Sequence, residues 1–231
     1  MLRTPMVAAA VLEGYRQLGD ASALVSDVLD ELGVAGAVAA SRLAPCQRGR
    51  RLVGVALTLR NEVQPGTLAA KAAAAAPMGM QDIVAHHLAQ PGNVLVIQGV
   101  AEVSNLGGMS SLLGRRQGEA GAIVDGGVRD VADFQQADYP VWASSVTPVS
   151  GRWRIETTEI NGAVSVCGIA VSAGDLAIAD DTGVAFVPMA QAEEVLARCR
   201  RKLEADAARC AAIARGDSIE TMFGAAGRET R

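Results

Sequence analysis

The chain has 231 residues, of which 50% are hydrophobic and only 3% aromatic, and its formal net charge at pH 7 is −4. A chain of this length can bury a substantial core without help from disulfides or metal ions. The slight acidic balance and the scarcity of aromatic residues argue against a nucleic-acid partner, and no apolar stretch is long enough to cross a membrane.

In the first half of the chain, helical and strand patterns alternate. Apolar residues at helical spacing, with glycine or proline at the stops, predict helices over residues 7–18, 21–32, 67–76 and 81–89. Nearly continuous apolar runs predict strands over residues 52–59 and 93–97, each covered on both faces. The alternation predicts an α/β protein.

Two polar clusters in this half are not predicted to take part in catalysis or metal binding. His86 and His87 are adjacent, so on a helix their side chains diverge by about 100° and cannot easily hold one ion. We expect surface or helix-capping roles for both. Arg48, Arg50 and Arg51 are expected to lie in a solvated loop.

Gly107 and Gly108 precede a helical pattern over residues 109–117. Glycines that open a helix leave free N–H groups able to hold a carboxylate, although a mere tight turn explains them equally well. The chain then predicts a helix over 131–137, a strand over 139–143, an irregular polar segment over 144–159 and strands over 164–171, 176–179 and 184–187. A long charged helix over 189–215 is expected to pack across a neighbouring element or subunit.

Residues 121–130 form the stretch with the clearest chemical potential. A short buried strand ends at Gly126 and Gly127, and Arg129 and Asp130 follow at once. Arginine fits a carboxylate with its planar fork of donors, and aspartate offers hard oxygen to a divalent cation. Taken alone, the pair is more commonly a solvated ion pair or a carboxylate at a helix N-terminus.

Four cysteines, Cys46, Cys167, Cys199 and Cys210, form no CxxC pair. This spacing indicates neither a zinc site nor a disulfide framework. It favours reduced thiols in a cytoplasmic protein.

The wider pattern resembles the RraA-like family, which includes 4-hydroxy-4-methyl-2-oxoglutarate aldolases. The resemblance rests on residues 26–30, 91–97, 174–175 and 179–184, and above all on a spaced motif. In that motif Gly108 is followed after twenty residues by Arg129-Asp130, and after two more by Asp133.

The resemblance implies a swivelling β/β/α domain spanning residues 1–231, assembled as a trimer or a dimer of trimers with sites between subunits. It implies that Arg129 binds the carboxylate and carbonyl of pyruvate, and that Asp130 ligates Mg²⁺ or Mn²⁺. The loop Gly107-Gly108-Met109-Ser110 would supply backbone donors to the same substrate. The implied activity is a metal-dependent lyase that releases pyruvate from a 4-hydroxy-2-oxo acid, decarboxylates oxaloacetate, or does both through a metal-stabilised enolate.

The chain departs from the aldolase pattern at Gly108, where the aldolases carry an acid implicated in proton transfer. A neighbouring subunit's C-terminal helix also supplies an acid in the family, and Glu204 and Asp206 are both candidates. The alternative within the family is a non-catalytic trimer that binds and inhibits a ribonuclease. Members of that branch commonly lack the aspartate matching Asp130, so its presence favours the enzyme.

Overall fold

The computed structural model describes residues 3–219. The strands are β1 (Ala37–Ala39), β2 (Ala44–Pro45), β3 (Leu52–Val63), β4 (Asn93–Gln98), β5 (Ser104–Leu106), β6 (Gly121–Val128), β7 (Val141–Val146), β8 (Ile155–Ile160), β9 (Val164–Val166), β10 (Ile169–Val171), β11 (Leu176–Asp180) and β12 (Gly183–Val187). The helices are α1 (Ala9–Arg16), α2 (Ser22–Glu31), α3 (Leu68–Ala73), α4 (Asp82–Leu88), α5 (Gly108–Gln117), α6 (Val131–Gln136) and α7 (Ala192–Arg215), and a single 3-10 turn over Met189–Gln191 precedes α7.

Ten strands form one mixed sheet, in the order β1-β12-β11-β3-β4-β6-β7-β2, with β5 beside β6 and β8 beside β3. Its centre, β3-β4-β6-β7, is parallel, because a helical crossover connects each of these strands to the next. The outer strands β11, β12 and β1 are antiparallel. The parallel centre brings the carboxyl ends of β4 and β6 to the same edge of the sheet.

The two faces of the sheet are covered differently, which produces a β/β/α layering. Val55 and Leu57 in β3 point to the face covered by helices, together with Leu95 in β4. Ala56 points to the opposite face, where the two-stranded sheet of β9 and β10 covers the core. The period of two along a strand explains this division, and the prediction that the central strands are covered on both faces is confirmed.

Two segments of the second half differ from the sequence-based prediction. The span 144–159, expected to be irregular, contains the end of β7 and most of β8, which pairs with β3 over a register shift. The expected single strand over 164–171 is a hairpin, because Cys167 and Gly168 both adopt positive φ angles and reverse the chain. The short strands β1, β2 and β5 were not predicted at all.

Helix α7 packs its first half against α1 and α2. The Tyr15 hydroxyl donates to the Ala192 carbonyl at 2.8 Å, and Lys202 Nζ lies 2.7 Å from Glu31 Oε1. From Leu203 onward the helix is largely exposed, including Ile213. No helix within residues 3–219 is both long enough and apolar enough to span a bilayer.

Asp180, at the end of β11, fixes the start of α2. Its carboxylate accepts hydrogen bonds from the Ser22 N–H at 2.8 Å, the Ser22 hydroxyl at 2.6 Å and the Thr182 N–H at 2.8 Å. Burial alone would raise the pKa of Asp180, but the hydrogen bonds from Ser22 and Thr182 outweigh it and lower the pKa. The carboxylate therefore replaces a side-chain cap, which Ala21 cannot provide.

Replacing Asp180 with alanine should lower the free energy of unfolding by about 2 to 4 kcal/mol, since it leaves buried donors without an acceptor. Asp181→Ala, next to it and exposed, is the matched control and should cost less than about 1 kcal/mol. Because the folded-state pKa is lowered, the wild-type advantage should be full near neutral pH and shrink as the pH falls below about 4. Urea denaturation at several pH values measures this, and equal losses in the two variants would contradict it.

Candidate active site

A cleft of about 350 Å³ gathers the residues singled out from the sequence. Its lining includes Gly107, Gly108, Met109, Ser110, Arg129 and Asp130. The rest of the lining comes from the segment around Met78 and Met80, from the start of α4, and from Ser150–Arg152, none of which was predicted to contribute. Residues separated by up to 74 positions in the chain therefore share one concave surface.

The turn from β6 into α6 holds Arg129 and Asp130 at the edge of the cleft. The Arg129 N–H donates to the Leu106 carbonyl at 3.1 Å, which ties this turn to the end of β5. Asp130 is the N-cap of α6 and has φ 59° and ψ 42°, in the left-handed region. That conformation costs a non-glycine residue about 1 kcal/mol, and aspartate and asparagine tolerate it better than most.

Gly107 and Gly108 let the Asp130 carboxylate approach the backbone at the start of α5. The Gly108 N–H donates to Asp130 Oδ2 at 3.1 Å. A Cβ atom added to Gly107 would lie 2.9 Å from that same oxygen. Gly107 is therefore required for lack of space and not for its backbone conformation, since its φ of −142° is one that any residue can adopt.

Asp133, in the first turn of α6, occupies the space beside Gly108. A Cβ atom added to Gly108 would lie 2.0 Å from Asp133 Oδ2 and 2.8 Å from its Cγ. The departure from the aldolase pattern at Gly108 therefore comes with a second carboxylate at the place where an acidic side chain would begin. The sequence-based site omitted Asp133, although its position three residues after Asp130 was visible in the spaced motif.

Arg129 is only loosely held by its neighbour. Its Nε lies 3.3 Å from Asp130 Oδ2, and the two side chains are 44% and 42% exposed. Such a solvated pair contributes little to stability. Among the described residues Asp130 is the only ion-pair partner of Arg129, so the outer edge of the guanidinium remains available to an anion in the cleft.

The N-terminus of α5 also faces the cleft. The Ser111 N–H makes the first intrahelical bond, to the Gly107 carbonyl at 3.1 Å, so the N–H groups of Met109 and Ser110 precede the hydrogen-bonded part of the helix. Met109 is 72% exposed at the rim, whereas Ser110 is buried. Donors at a helix start favour a bound carboxylate or oxyanion.

The expectation of a surface or helix-capping role for both histidines is wrong for His86. Its ring is buried, with Nδ1 2.7 Å from Glu119 Oε1 and Nε2 2.7 Å from the Ser110 hydroxyl. His87 is exposed, as expected. Glu119 is 33 residues away in sequence, so the helical pattern around His86 contained no sign of this buried partner.

Tyr139 completes the buried group. Its hydroxyl donates to Glu119 Oε2 at 2.5 Å. Burial, and then the charge of Glu119, raise the pKa of Tyr139 well above its usual value, so the phenol stays protonated and remains a donor. Gly114 makes room for the pair, since a Cβ atom there would lie 2.5 Å from Glu119 Oε2.

The cleft's donor set fits a hard divalent cation that retains other ligands. Within residues 3–219 no group of three or more His, Cys, Asp or Glu side chains is arranged to hold an ion. Asp130 lines the cleft, and Asp133 Oδ2 lies beside Gly108, which lines it as well. Mg²⁺ is commonly held by one or two carboxylates, with water and substrate oxygens as the remaining ligands, so Asp130, alone or with Asp133, meets that requirement.

A second cleft, of about 430 Å³, is larger but less suited to chemistry. It includes Arg50 and Arg51, which pair with Asp138 and Asp20 respectively. Arg48 is exposed, as expected of a solvated loop. Arg50 and Arg51 are thus already paired within the chain. In the smaller cleft, Arg129 is available to an anion and lies near the N–H groups of Met109 and Ser110 that begin α5.

The chain belongs to the RraA-like family, whose model, described as Aldolase/RraA, matches residues 22–186. The resemblance found in the sequence and the fold class it implied are both confirmed. The family includes proteins named as aldolases and proteins named as ribonuclease inhibitors. Membership of this family therefore does not by itself distinguish an aldolase from a ribonuclease inhibitor.

Curated relatives match at modest identity. An uncharacterized protein of Methanocaldococcus jannaschii is 30% identical over 129 residues, covering 56% of this chain and 62% of the relative. A protein of Halalkalibacterium halodurans, named "Putative 4-hydroxy-4-methyl-2-oxoglutarate aldolase", is 31% identical over 127 residues, covering 54% and 60%. The chain spans less than two thirds of each of these relatives.

Solved structures show the same fold over nearly the whole chain. An uncharacterized protein of Pseudomonas syringae superposes with a TM-score of 0.77 at 24% identity, covering 95% of this chain and 98% of that one. RraAS2 of Streptomyces coelicolor, described as an unusual member of the RNase ES inhibitor RraA family, has a TM-score of 0.73 at 26% identity, with coverage of 86% and 94%.

A double-mutant cycle tests the contact between Gly108 and Asp133. Gly108→Ala should lower the free energy of unfolding by about 1 to 3 kcal/mol, because the added methyl would lie 2.0 Å from Oδ2, 2.8 Å from Cγ and 2.9 Å from Cβ of Asp133. Asp133→Ala removes the first two contacts and keeps the third, so in that background the same substitution should cost about 1 kcal/mol less. Denaturant unfolding of the four proteins gives the coupling, and additive effects would show that the two residues are not packed together.

Proposed function

We propose that this chain is a divalent-metal-dependent lyase that releases pyruvate from a 4-hydroxy-2-oxo acid and decarboxylates oxaloacetate. The proposal rests on one observation: Arg129 and Asp130 line a single cleft with the N-terminus of α5, where Asp130 accepts from the Gly108 N–H and the N–H groups of Met109 and Ser110 precede the hydrogen-bonded part of the helix. This arrangement combines an anion-binding fork, a cation-binding oxygen and preorganised backbone donors. Those are the groups needed to hold a 2-oxo acid while negative charge develops on its carbonyl oxygen.

The chain's own residues divide the work. Arg129 binds the substrate carboxylate through its fork of donors, and the N–H groups that begin α5 point to the neighbouring oxyanion. Asp130 and Asp133 would hold the cation, which when bound supplies Lewis-acid stabilisation of the enolate formed by either reaction. Met78, Met80 and Ile83 add apolar side chains to the lining of the cleft, against which the carbon skeleton of a substrate can pack.

A second positive charge in the cleft suits a dicarboxylic substrate. Arg152 also lines the cleft, and its guanidinium carbon lies 4.1 Å from the centre of the Trp153 ring. Stacking on an aromatic ring restricts the arginine and preorganises it for an anion. A substrate with a carboxylate at each end would contact Arg129 at one end and Arg152 at the other.

The alternative within the family, a non-catalytic ribonuclease-binding trimer, makes no use of this arrangement. It requires neither a cation-binding carboxylate nor an available arginine in a cleft.

The test is pyruvate release from oxaloacetate and a panel of 4-hydroxy-2-oxo acids, with and without added Mg²⁺ or Mn²⁺. Wild-type protein should be active only with metal. Asp130→Asn should lower kcat/KM at least about 100-fold while the fold is retained, since asparagine tolerates the left-handed backbone but loses the charge.

Asp138→Asn is the matched control, because Asp138 is also an exposed aspartate with positive φ, but it lies outside the cleft and pairs with Arg50. Its kinetics should match the wild type. Activity that persists after exhaustive chelation would remove the metal from the proposal, and inactivity of the wild type on every substrate would remove the lyase.

We further propose a homotrimer or hexamer in which the second half of α7 covers a neighbouring subunit. The exposure of Leu203 and Ile213 on a helix that continues to residue 215 supports this, because an isolated helical extension is only marginally stable in water. Glu204 and Asp206 lie on this half, and Asp206 pairs with Arg209 at 2.9 Å. Either acid could reach a neighbour's cleft.

Sedimentation velocity tests the assembly directly. The wild type should sediment as a trimer or hexamer at micromolar concentration, and Ile213→Asp should shift it towards smaller species by placing a charge in the interface. Lys202→Ala, at the boundary of the exposed half, should lose only intrasubunit ion pairs and keep the assembly. A monomeric wild type would contradict the assembly.

A further inference from the structure

A chain of hydrogen bonds leads from the cleft into the core behind it. It begins at the Ser110 hydroxyl, passes through the His86 ring to the Glu119 carboxylate, and ends at the Tyr139 hydroxyl. Ser110 is the one member of this group that lines the cleft. The other three side chains are buried, with His86 1% and Glu119 2% exposed.

Donor and acceptor roles in the chain can be assigned by starting from Glu119 as a carboxylate. A carboxylate only accepts, so in this assignment His86 Nδ1 and the Tyr139 hydroxyl both donate to it. In the neutral ring Nε2 is then an acceptor, and the Ser110 hydroxyl donates to it. This leaves the lone pairs of the serine oxygen free to accept a proton from a ligand in the cleft.

The same heavy-atom positions also suit the protonated ring. With a proton on Nε2, His86 donates to Ser110 on one side and to Glu119 on the other, and no hydrogen bond is lost. The imidazolium is compensated by a buried carboxylate at 2.7 Å. The two states differ by one proton and no rearrangement, which is what a proton-storing group requires.

We propose that Ser110 accepts the proton of the substrate's 4-hydroxyl group and passes its own proton to His86, which stores it during retro-aldol cleavage. This inference rests on the lyase activity proposed above. Ser110 is then a catalytic residue, whereas His86 and Glu119 act through it and are positioning residues.

The step is balanced without an added reactant. The 4-hydroxyl proton moves to the Ser110 oxygen as the serine proton moves to His86 Nε2. The bond between C3 and C4 breaks, a carbonyl forms at C4, and the bonding electrons pass to the enolate of pyruvate. The stored proton returns by the reverse path to C3 of the enolate, and the resting state is restored.

Decarboxylation of oxaloacetate separates this role from general damage to the site. That reaction forms the same enolate by loss of CO₂ and has no hydroxyl proton to remove. Its first step therefore requires Arg129 and Asp130 but not the Ser110 relay. A defect in the relay should lower cleavage much more than decarboxylation.

The experiment measures both reactions, with saturating Mg²⁺, for wild type, Ser110→Ala and His86→Gln. Glutamine can still accept from Ser110 but cannot store a proton. Both variants should lose about 100-fold in kcat for cleavage, with KM within about threefold of wild type and decarboxylation within about fivefold. Calorimetric binding of oxalate, a mimic of the enolate, should be unchanged.

His87→Gln is the matched control, since it makes the same substitution one residue along α4 at an exposed position outside the cleft. It should leave both reactions unchanged. Asp82→Asn tests the other ionisable group near the relay, which lines the cleft one helical turn before His86. Selective loss of cleavage in Asp82→Asn, with normal cleavage in Ser110→Ala, would assign proton acceptance to Asp82 and overturn the relay.

The other possible outcomes also test whether Ser110 and His86 act as a proton relay. Equal losses of cleavage and decarboxylation, or a raised KM with unchanged kcat, would mean that the buried group only supports the shape of the cleft. An active wild type with normal cleavage in both variants would overturn the relay and leave the lyase standing. A wild type inactive in both reactions would overturn the two proposals together.

Discussion

The close packing of two glycines against two carboxylates organises the candidate site. Asp130 and Asp133 come from the turn and first helical residues after β6, and Gly107 and Gly108 begin α5. No side chain separates them, and the Gly108 N–H donates directly to Asp130. Two loops that follow different strands are thereby locked together, and the direction of Arg129 and the orientation of the α5 N-terminus follow from that contact.

Behind this contact the protein buries a polar group of a kind that is costly unless every member has a partner. Glu119 accepts from Tyr139 and neighbours His86, which in turn contacts Ser110. A satisfied network of this type holds its members in one arrangement, whereas loss of a member leaves buried donors or acceptors unpaired. The site therefore combines an exposed residue with left-handed backbone, Asp130, and a buried group behind it, Ser110, His86, Glu119 and Tyr139, whose side chains are hydrogen-bonded to one another.

Local sequence patterns were sufficient for the features that depend on neighbouring residues. Apolar runs predicted β3 and β4, and Arg129 and Asp130 follow the carboxyl end of β6 as predicted. The prediction that this strand ends at Gly126 and Gly127 is wrong, because β6 continues through both glycines to Val128 and pairs there with β7. The long-range features were missed. The partnership of His86 with Glu119 joins two elements whose own patterns are unremarkable, and β8 is defined by pairing with β3 across about 100 residues rather than by its polar, alternating composition.

Position 108 shows the same limit. The sequence shows that the acid of the aldolase pattern is missing there, but spacing along the chain does not show which side chain lies beside the glycine. In the structure that neighbour is Asp133, brought by the first turn of α6. Asp133 already belongs to the spaced motif, so its proximity adds a carboxylate beside Gly108 and is not a replacement for the missing acid.

The central claim is that this cleft holds a divalent cation and a 2-oxo acid together. The most direct measurement is a crystal structure with Mn²⁺ and oxalate, with the ion located by its anomalous scattering. We expect a single strong peak beside the carboxylates of Asp130 and Asp133, with oxalate bound between that ion and the Arg129 guanidinium. An ion elsewhere in the protein, or oxalate bound away from Arg129, would contradict it.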